Sequence, residues 1–301
     1  MIRIAVRPQP LPSVLRTALD QAPCEQVRPE HAEALVWLGS DPEALTTELT
    51  RMPHVRWVQL PWSGVEEYAP SMRPDVRWTS ARGVLAEPVA EHALMLSMLA
   101  LRSADRSVRA GRWSPQEPRS LYDADVVIVG AGEVAAALLR LLAPLRVRAT
   151  VVRRRAEPVA GAARVVTSDR LLEVVATADV VVLTAALTGA TRGLIDADVL
   201  AAMRPDACLV NVARGGLVVT DDLVTALRER RIGAAALDVT DPEPLPEGHP
   251  LWDLENCFLT AHCAGDLPYS WPAFADLVRD NIERRAQGRE LRNTVSLEFG
   301  Y

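Results

Sequence analysis

The sequence contains no lysine. All 33 basic residues among its 301 are arginine, set against 39 aspartates and glutamates, for a formal net charge of −6. Without lysine there is no Schiff-base chemistry of the aldolase or pyridoxal phosphate kind, and no Walker A or kinase β3 lysine to hold ATP. The permanent side-chain cation is therefore the planar guanidinium, which suits bidentate binding of carboxylate or phosphate. The bias itself is typical of GC-rich coding.

Several other features are scarce. The four cysteines, at positions 24, 208, 257 and 263, lack C-x-x-C spacing, which favours reduced thiols. No apolar run is long enough to span a bilayer, and the first residues predict a strand rather than a signal peptide. A mildly acidic chain without a basic block argues against nucleic acid as a partner. We expect a cytoplasmic protein without membrane or nucleic-acid partners, and no metal site.

The length of the chain predicts two domains, because 301 residues exceed the usual size of a single core. Two series of alternating strands and helices predict two parallel sheets covered by helices. Residues 103–119 are polar and predict a connector. The predicted strands cover residues 2–6, 34–38, 56–60, 76–79, 126–129, 147–152, 179–183, 208–212, 234–237 and 257–260, and the predicted helices cover 15–22, 42–51, 88–102, 134–142, 171–176, 221–231 and 272–287.

A dinucleotide-binding fingerprint, G-x-G-x-x-A, lies between a buried strand and an amphipathic helix. Gly130 permits a tight turn, Gly132 lets the backbone approach a pyrophosphate, and Ala135 keeps helix and strand close. The N-terminus of the helix supplies N–H donors and a positive dipole to the phosphates. The alternative is a plain glycine-containing turn. The cofactor-binding candidates here are Gly130, Gly132, Glu133 and Val134.

Three consecutive arginines, Arg153, Arg154 and Arg155, follow the second strand of this series. An aspartate or glutamate at that strand end would bind the ribose hydroxyl of NAD. No acid stands there, whereas guanidinium groups pair with a 2′-phosphate and stack on adenine. We therefore predict that NADP(H) is preferred, with NAD(H) possible. The alternative is a solvated basic loop.

Three charged side chains, Arg214, Glu243 and His262, follow three predicted strands of the second series. Ligands of a doubly wound sheet bind outside the carboxyl ends of its strands, so these side chains are expected to converge there. Arginine is a permanent bidentate clamp for a carboxylate. Histidine titrates near neutrality, and a neighbouring carboxylate favours its protonated form, which suits proton donation to a carbonyl oxygen.

Together these segments resemble the D-isomer-specific 2-hydroxyacid dehydrogenase family, and the resemblance covers nearly the whole chain. Several motifs in one order and spacing are far more specific than one. The motifs are the fingerprint, Ala90-Glu91-His92, residues 187–195, Asn211-x-Ala-Arg-Gly-Gly216, Asp238-Val-x-x-Pro-Glu-Pro-Leu-Pro246, His249-Pro-Leu251 and His262.

The resemblance implies a role for each matching residue. Arg214 matches the arginine that binds the substrate carboxylate, His262 the general acid and base, and Glu243 the carboxylate paired with it. Ala213 and Asp238 match cofactor-binding positions, Asp238 near the nicotinamide carboxamide. Each also has a structural alternative, such as a surface acid for Glu243.

A loop of the first series matches the family's substrate-binding loop. Its candidates are Trp62, Ser63, Gly64 and Val65; Gly64 and Val65 match the positions whose backbone N–H groups meet the substrate carboxylate. For Trp62 the alternatives are a wall of the pocket and packing against the other domain. Arg82 is either a second contact to an anionic group or a surface arginine.

The family implies two α/β domains: a flavodoxin-like substrate domain (residues 1–90 and 268–301) and a Rossmann domain (91–267). The 88–102 helix would support a homodimer. We expect His92 to be a packing residue of this helix, and Met95 and Met98 to lie in the core or in a subunit contact.

The expected activity is hydride transfer between NADP(H) and a small 2-oxo or 2-hydroxy acid, with glyoxylate or hydroxypyruvate as the first candidates. Alternatives are a non-catalytic, cofactor-sensing corepressor and a formate or phosphite dehydrogenase, although Glu243 argues against the formate branch. A regulatory extension is not evident, which disfavours an allosteric serine-pathway dehydrogenase.

Overall fold

A computed structural model describes residues 1–113, 115 and 117–296, apart from the side chains of Asp105 and Arg109. The chain forms two compact units. Unit 1 comprises Met1–Leu85 and Asp266–Tyr301, and unit 2 comprises Ala86–Gly265. Residues 297–301 of the predicted substrate domain, and 114 and 116 of the predicted connector, lie outside the described residues.

Unit 1 is a five-stranded parallel sheet with helices. Its strand order is β2-β1-β3-β4-β5, the order of flavodoxin-like folds. The strands are β1 (Ile2–Arg7), β2 (Cys24–Gln26), β3 (Ala34–Trp37), β4 (Trp57–Gln59) and β5 (Arg77–Thr79), and the helices are α1 (Ser13–Asp20), α2 (Pro42–Thr50) and α9 (Leu267–Ala286), with 3-10 turns at Pro29–His31 and Glu66–Ser71.

Unit 2 is a seven-stranded parallel sheet in the order β12-β11-β10-β9-β6-β7-β8, which is the Rossmann order with one added strand. Its strands are β6 (Asp125–Val129), β7 (Arg148–Val152), β8 (Arg164–Val166), β9 (Val180–Leu183), β10 (Cys208–Asn211), β11 (Ala234–Leu237) and β12 (Cys257–Leu259). Its helices are α3 (Ala86–Leu101), α4 (Ala104–Arg109), α5 (Glu133–Leu142), α6 (Leu171–Val175), α7 (Ala197–Ala202) and α8 (Thr220–Arg228), with 3-10 turns at Ala143–Leu145, Ser168–Arg170, Gly215–Leu217 and Pro250–Trp252.

The central strands of unit 2 are covered on both faces. Every residue of β9, Val-Val-Val-Leu, is buried, as expected for a strand inside a parallel sheet. One face packs against α3 and α5, and the other against α6, α7 and α8. Since all seven strands are parallel, their carboxyl ends lie along one edge, where the loops that carry the predicted site residues leave the sheet.

The predicted fold class is confirmed: the structure contains two parallel-sheet α/β units, one with Rossmann topology. The units divide at Leu85/Ala86 and Gly265/Asp266, whereas the predicted boundaries lie at 90/91 and 267/268. The early start of α3 accounts for the first difference, because Ala86 and Ala90 pack in the core of unit 2.

Four elements of the structure are not predicted by the sequence. The sequence does not predict β2, β8 or α7, and α4 occupies part of the predicted connector. In addition, α9 begins at Leu267 rather than at 272, because the Asp266 carboxylate accepts a hydrogen bond from the N–H of Tyr269 (3.1 Å) and caps the helix. Among the described residues, no helix has both the length and the apolar character needed to cross a membrane.

Candidate active site

The turn between β6 and α5 has the geometry expected of a dinucleotide-binding loop. Gly130 has φ +116°, and a Cβ there would lie 2.7 Å from the backbone of Thr184 and Ala185, so only glycine fits. At Gly132, the N-cap of α5, a Cβ would meet no atom within 4 Å. The fold therefore does not require glycine at 132, whereas a ligand that approaches the backbone would. Glu133 and Val134 follow as the first helical residues, with N–H groups at the start of the helix.

The three arginines leave β7 beside this turn. The N–H of Gly130 donates to the carbonyl of Val152, the last residue of β7 (2.9 Å). Arg153 Nη2 lies 3.1 Å from Oε2 of Glu157, and Arg155 Nη1 lies 3.9 Å from Oε1 of the same residue. The strand end itself has no acid, as the sequence predicts, but the loop folds back and brings Glu157 to the arginines.

The loop after β10 holds Arg214 by backbone contacts. Asn211 Oδ1 accepts from the N–H of Ala213 (3.0 Å), and its Nδ2 donates to the carbonyl of Arg214 (2.9 Å). At Gly215 a Cβ would lie 1.9 Å from the carbonyl oxygen of Thr240, in the loop after β11. The two loops that carry Arg214 and Glu243 therefore pack backbone against backbone, with no space for a side chain between them.

The histidine and glutamate predicted to act together form a pair. His262 Nδ1 and Glu243 Oε1 are 2.5 Å apart, and Glu243 Oε2 accepts from the N–H of Thr240 (3.4 Å). His262 has φ +49°, a left-handed backbone that is unusual for a non-glycine residue. Its side chain remains 54% exposed. With Nδ1 directed at the carboxylate, Nε2 is the ring nitrogen left for proton exchange with a substrate.

Asp238, at the end of β11, holds the loop that carries His262. It is 2% exposed. Oδ1 accepts from the hydroxyl of Thr260 (2.5 Å) and the N–H of Cys263 (3.0 Å), and Oδ2 from the N–H of Ala264 (3.0 Å). The backbone carbonyl of Asp238 accepts from the N–H of His262 (2.8 Å). The unusual backbone of His262 is thus fixed by hydrogen bonds on both sides.

The carboxyl group of Asp238 is ionised within this network. Burial alone raises its pKa, but hydrogen bonds from His92, Thr260 and the N–H groups of Cys263 and Ala264 outweigh burial and hold the pKa well below its usual range. A charged acceptor also forms stronger hydrogen bonds than a neutral one. The loop therefore keeps its anchor throughout the neutral pH range.

Comparison with known proteins identifies the family. The profile of the "D-isomer specific 2-hydroxyacid dehydrogenase, NAD binding domain" matches residues 92–264. The human glyoxylate reductase/hydroxypyruvate reductase is 32% identical over 223 residues, 71% of this chain and 68% of that protein. The chain belongs to the D-isomer specific 2-hydroxyacid dehydrogenases.

Two further relatives span nearly the whole dehydrogenase chain. An uncharacterized protein of Corynebacterium melassecola is 36% identical over 279 residues, 90% of each chain. The crystal structure of a D-isomer specific 2-hydroxyacid dehydrogenase from Xanthobacter autotrophicus Py2, in complex with NADPH and MES, matches with a TM-score of 0.84 and 26% identity over 100% of this chain and 99% of that one. The predicted class, an NAD(P)-dependent oxidoreductase of this family, is confirmed.

The substrate-loop candidates of this dehydrogenase lie in unit 1. Val65 is buried at 2% exposure and packs in the core of this unit. The hydroxyl of Ser63 donates to the carbonyl of Ala81 (3.3 Å), and the half-buried Trp62 packs against the core of its own unit. Asn293 Nδ2 donates to the carbonyl of Arg82 (2.8 Å).

One contact in the candidate site was not expected from the sequence. His92 is more than a packing residue of α3: its Nε2 lies 3.0 Å from the hydroxyl of Thr260 and 3.4 Å from Oδ1 of Asp238. It thereby connects α3 to the loop of His262. No local pattern shows this, because 168 residues separate His92 from Thr260. By contrast, Met95 and Met98 are each 39% exposed on α3.

Proposed function

We propose that the chain is an NADPH-dependent reductase of small 2-oxo acids, with glyoxylate and hydroxypyruvate as the first candidates. The observation that carries the proposal is the pair of His262 and Glu243, 2.5 Å apart, on loops connected to that of Arg214. A pair of this kind supplies a proton, and an arginine on the neighbouring loop binds a carboxylate. The human relative, a glyoxylate reductase/hydroxypyruvate reductase, supports these substrates.

The proposed roles follow from the side-chain chemistry. Arg214 binds the substrate carboxylate and orients the 2-oxo group. His262 donates the proton on Nε2 to the carbonyl oxygen as this oxygen becomes an alkoxide, and Glu243 holds Nδ1 and balances the imidazolium charge. The bound nicotinamide supplies the hydride. Asp238 keeps the His262 loop in place through the contacts described above; its direct contact with the cofactor, like that of Ala213, stays a prediction.

The proposed cofactor preference rests on Arg153, Arg154 and Arg155. Gly130 and the open backbone at Gly132 fit a pyrophosphate, and the arginines follow the strand adjacent to this turn. Guanidinium groups there favour a 2′-phosphate. The relative from Xanthobacter autotrophicus Py2, solved with NADPH, supports this preference, and NAD(H) remains the second cofactor.

The remaining assignments are also proposals. Unit 1 is proposed as the substrate domain, with Trp62, Ser63, Gly64 and Val65 as its substrate contacts. A homodimer through α3 is supported by the exposure of Met95 and Met98. Sedimentation velocity measures the oligomeric state in solution. The cytoplasmic location and the lack of a metal stay predictions.

A substrate panel tests the proposed function. The purified protein is mixed with NADPH or NADH and with glyoxylate, hydroxypyruvate and larger 2-oxo acids, and absorbance at 340 nm is followed. We expect turnover, a higher kcat/KM with NADPH, and a decrease in kcat of about 10²- to 10⁴-fold in His262→Asn, because general acid catalysis contributes roughly that factor.

The alternatives give different results in the same panel. Tight cofactor binding without turnover would favour a cofactor-sensing binding protein, and oxidation of formate or phosphite would favour the other branches. Full activity of His262→Asn would contradict the proton-transfer role, and a clear NADH preference would contradict the proposed cofactor.

A further inference from the structure

Glu157 makes four contacts with Arg153 and Arg155, in the loop that follows β7. Its carboxylate oxygens lie 3.1 Å from Nη2 of Arg153 and 3.9 Å from Nη1 of Arg155. Its backbone carbonyl accepts from Nη1 of Arg153 (3.3 Å), and its N–H donates to the carbonyl of Arg155 (2.8 Å). The side chain of Arg153 is 25% exposed, compared with 68% for Arg155. One carboxylate therefore already occupies two of the guanidinium groups proposed to bind the 2′-phosphate.

We propose that Glu157 sets the cofactor selectivity of this dehydrogenase, as an internal anion that competes with the 2′-phosphate of NADP(H) for Arg153 and Arg155. This inference rests on the proposed role of these arginines. A ribose phosphate carries nearly two negative charges at neutral pH, so it repels a carboxylate on the same guanidinium groups. NAD(H) has no such phosphate and leaves the contacts of Glu157 in place.

The competition predicts a moderate preference in the wild-type protein. NADP(H) gains contacts with the arginines but displaces Glu157 from them, whereas NAD(H) does neither. Removal of the charge at position 157 should therefore strengthen the binding of phosphorylated ligands alone. The gain should decrease at high salt, because exposed charges are screened.

A matched control is available at Glu173. Its carboxylate also contacts two arginines, Arg164 (2.9 Å) and Arg170, and it is 45% exposed compared with 58% for Glu157. Arg164 begins β8, the strand that pairs with β7, and Arg170 lies in the turn before α6. Glu173→Gln thus removes the same kind of ion pair near the proposed phosphate site, but from arginines other than Arg153 and Arg155.

The test compares adenosine 2′,5′-bisphosphate with AMP by isothermal titration calorimetry at low and high salt. For Glu157→Gln we expect the bisphosphate to bind about 3- to 5-fold more tightly at low salt, as for the loss of one exposed ion pair, with AMP within about twofold. Glu173→Gln should change neither. In the Arg153→Gln background, Glu157→Gln should have a clearly smaller effect, because the competing partner is absent.

Each outcome separates this inference from the proposed function. If the wild-type protein binds the bisphosphate no better than AMP, both the proposed NADP(H) site and the role of Glu157 are overturned. If it prefers the bisphosphate but Glu157→Gln leaves the ratio of affinities unchanged, or weakens bisphosphate binding, only the role of Glu157 is overturned. A rise in the ratio of NADPH to NADH kcat/KM by the same factor supports it.

Discussion

Unit 1 and unit 2 each bury a polar network that attaches a later segment of the chain to a sheet, but the network of unit 1 is neutral and that of unit 2 is charged. In unit 1 the hydroxyl of Thr79 donates to Gln59 Oε1 (2.8 Å) and accepts from Nε1 of Trp57 (2.9 Å). Asn281 Nδ2 donates to the same Gln59 oxygen (3.1 Å), and Asn281 Oδ1 accepts from the N–H of Arg292 (2.7 Å).

The comparison of the two networks shows where the hydrogen bonds of a buried charged group outweigh the cost of its desolvation. The network of unit 1 joins strands, α9 and the segment after α9 through amides and hydroxyls, none of which carries a charge. In unit 2 one carboxylate, Asp238, accepts several hydrogen bonds and fixes a loop that turns through a left-handed histidine. A carboxylate offers two oxygens that only accept, so it suits a loop whose N–H groups converge. The neutral network holds structure, and the charged one positions the side chain that we propose as the proton donor.

The largest effect is expected for Asp238→Ala. The change leaves the N–H groups of Cys263 and Ala264 and the hydroxyl of Thr260 without their acceptor, at about 3–5 kcal/mol in total. We expect unit 2 to lose that stability and kcat to fall at least about 10-fold. Hydrogen exchange followed by mass spectrometry should show lost protection in residues 257–265. Unchanged protection there would contradict the role of Asp238 as the anchor.

A smaller effect, confined to stability, is expected for Asn281→Ala. The N–H of Arg292 and Oε1 of Gln59 each lose a partner, and unit 1 should lose about 2–3 kcal/mol. Tryptophan fluorescence follows the unfolding of unit 1, because Trp37, Trp57 and Trp78 are buried there. At a temperature where the variant is folded, kcat should stay within about twofold. A decrease in kcat as large as that of Asp238→Ala would remove the distinction between the two networks.

The smallest effect is a pH dependence, measured with Asp238→Asn. The lowered pKa of Asp238 means that its charge stabilises the folded protein fully above the ordinary carboxyl range, and that this contribution is lost as the pH falls from about 4 towards the lowered pKa. The variant should be about 2 kcal/mol less stable at pH 7, and the difference should shrink at pH 3. Urea unfolding at both values measures it. If the difference in unfolding free energy between the two proteins were the same at pH 7 and pH 3, the charge of Asp238 would not be the source of the stabilisation.

Local patterns were sufficient to predict most of the fold and the contact between His262 and Glu243. The valine-rich strands of unit 2 and the fingerprint turn follow from period, length and glycine position, and His262 and Glu243 meet as their loops predict. By contrast, β2 and β8 are three-residue strands at the two sheet edges, with exposed residues in each, and so have no distinct pattern. The six residues of α7, fewer than two helical turns, were also not predicted.

Contacts between residues that are far apart in the chain could not be predicted from local sequence patterns. His92 reaches Thr260 across 168 residues, and Arg292 meets Asn281 only because the chain turns back after α9. Glu157 is close in sequence to Arg153, yet its contacts with this arginine depend on how the loop folds. Side-chain partners of this kind depend on tertiary geometry, which propensities do not contain.

Gly215 and Gly132 of unit 2 are subject to different constraints, one from the fold and one from a bound ligand. Alanine at 215 collides with the backbone of Thr240 and disrupts the fold, whether or not the protein retains an activity. Alanine at 132 meets no protein atom and has an ordinary φ, so only a bound molecule can exclude it. A descendant of this protein that gave up its cofactor would thus be free to change position 132 first, while position 215 would remain glycine for as long as the chain folds this way.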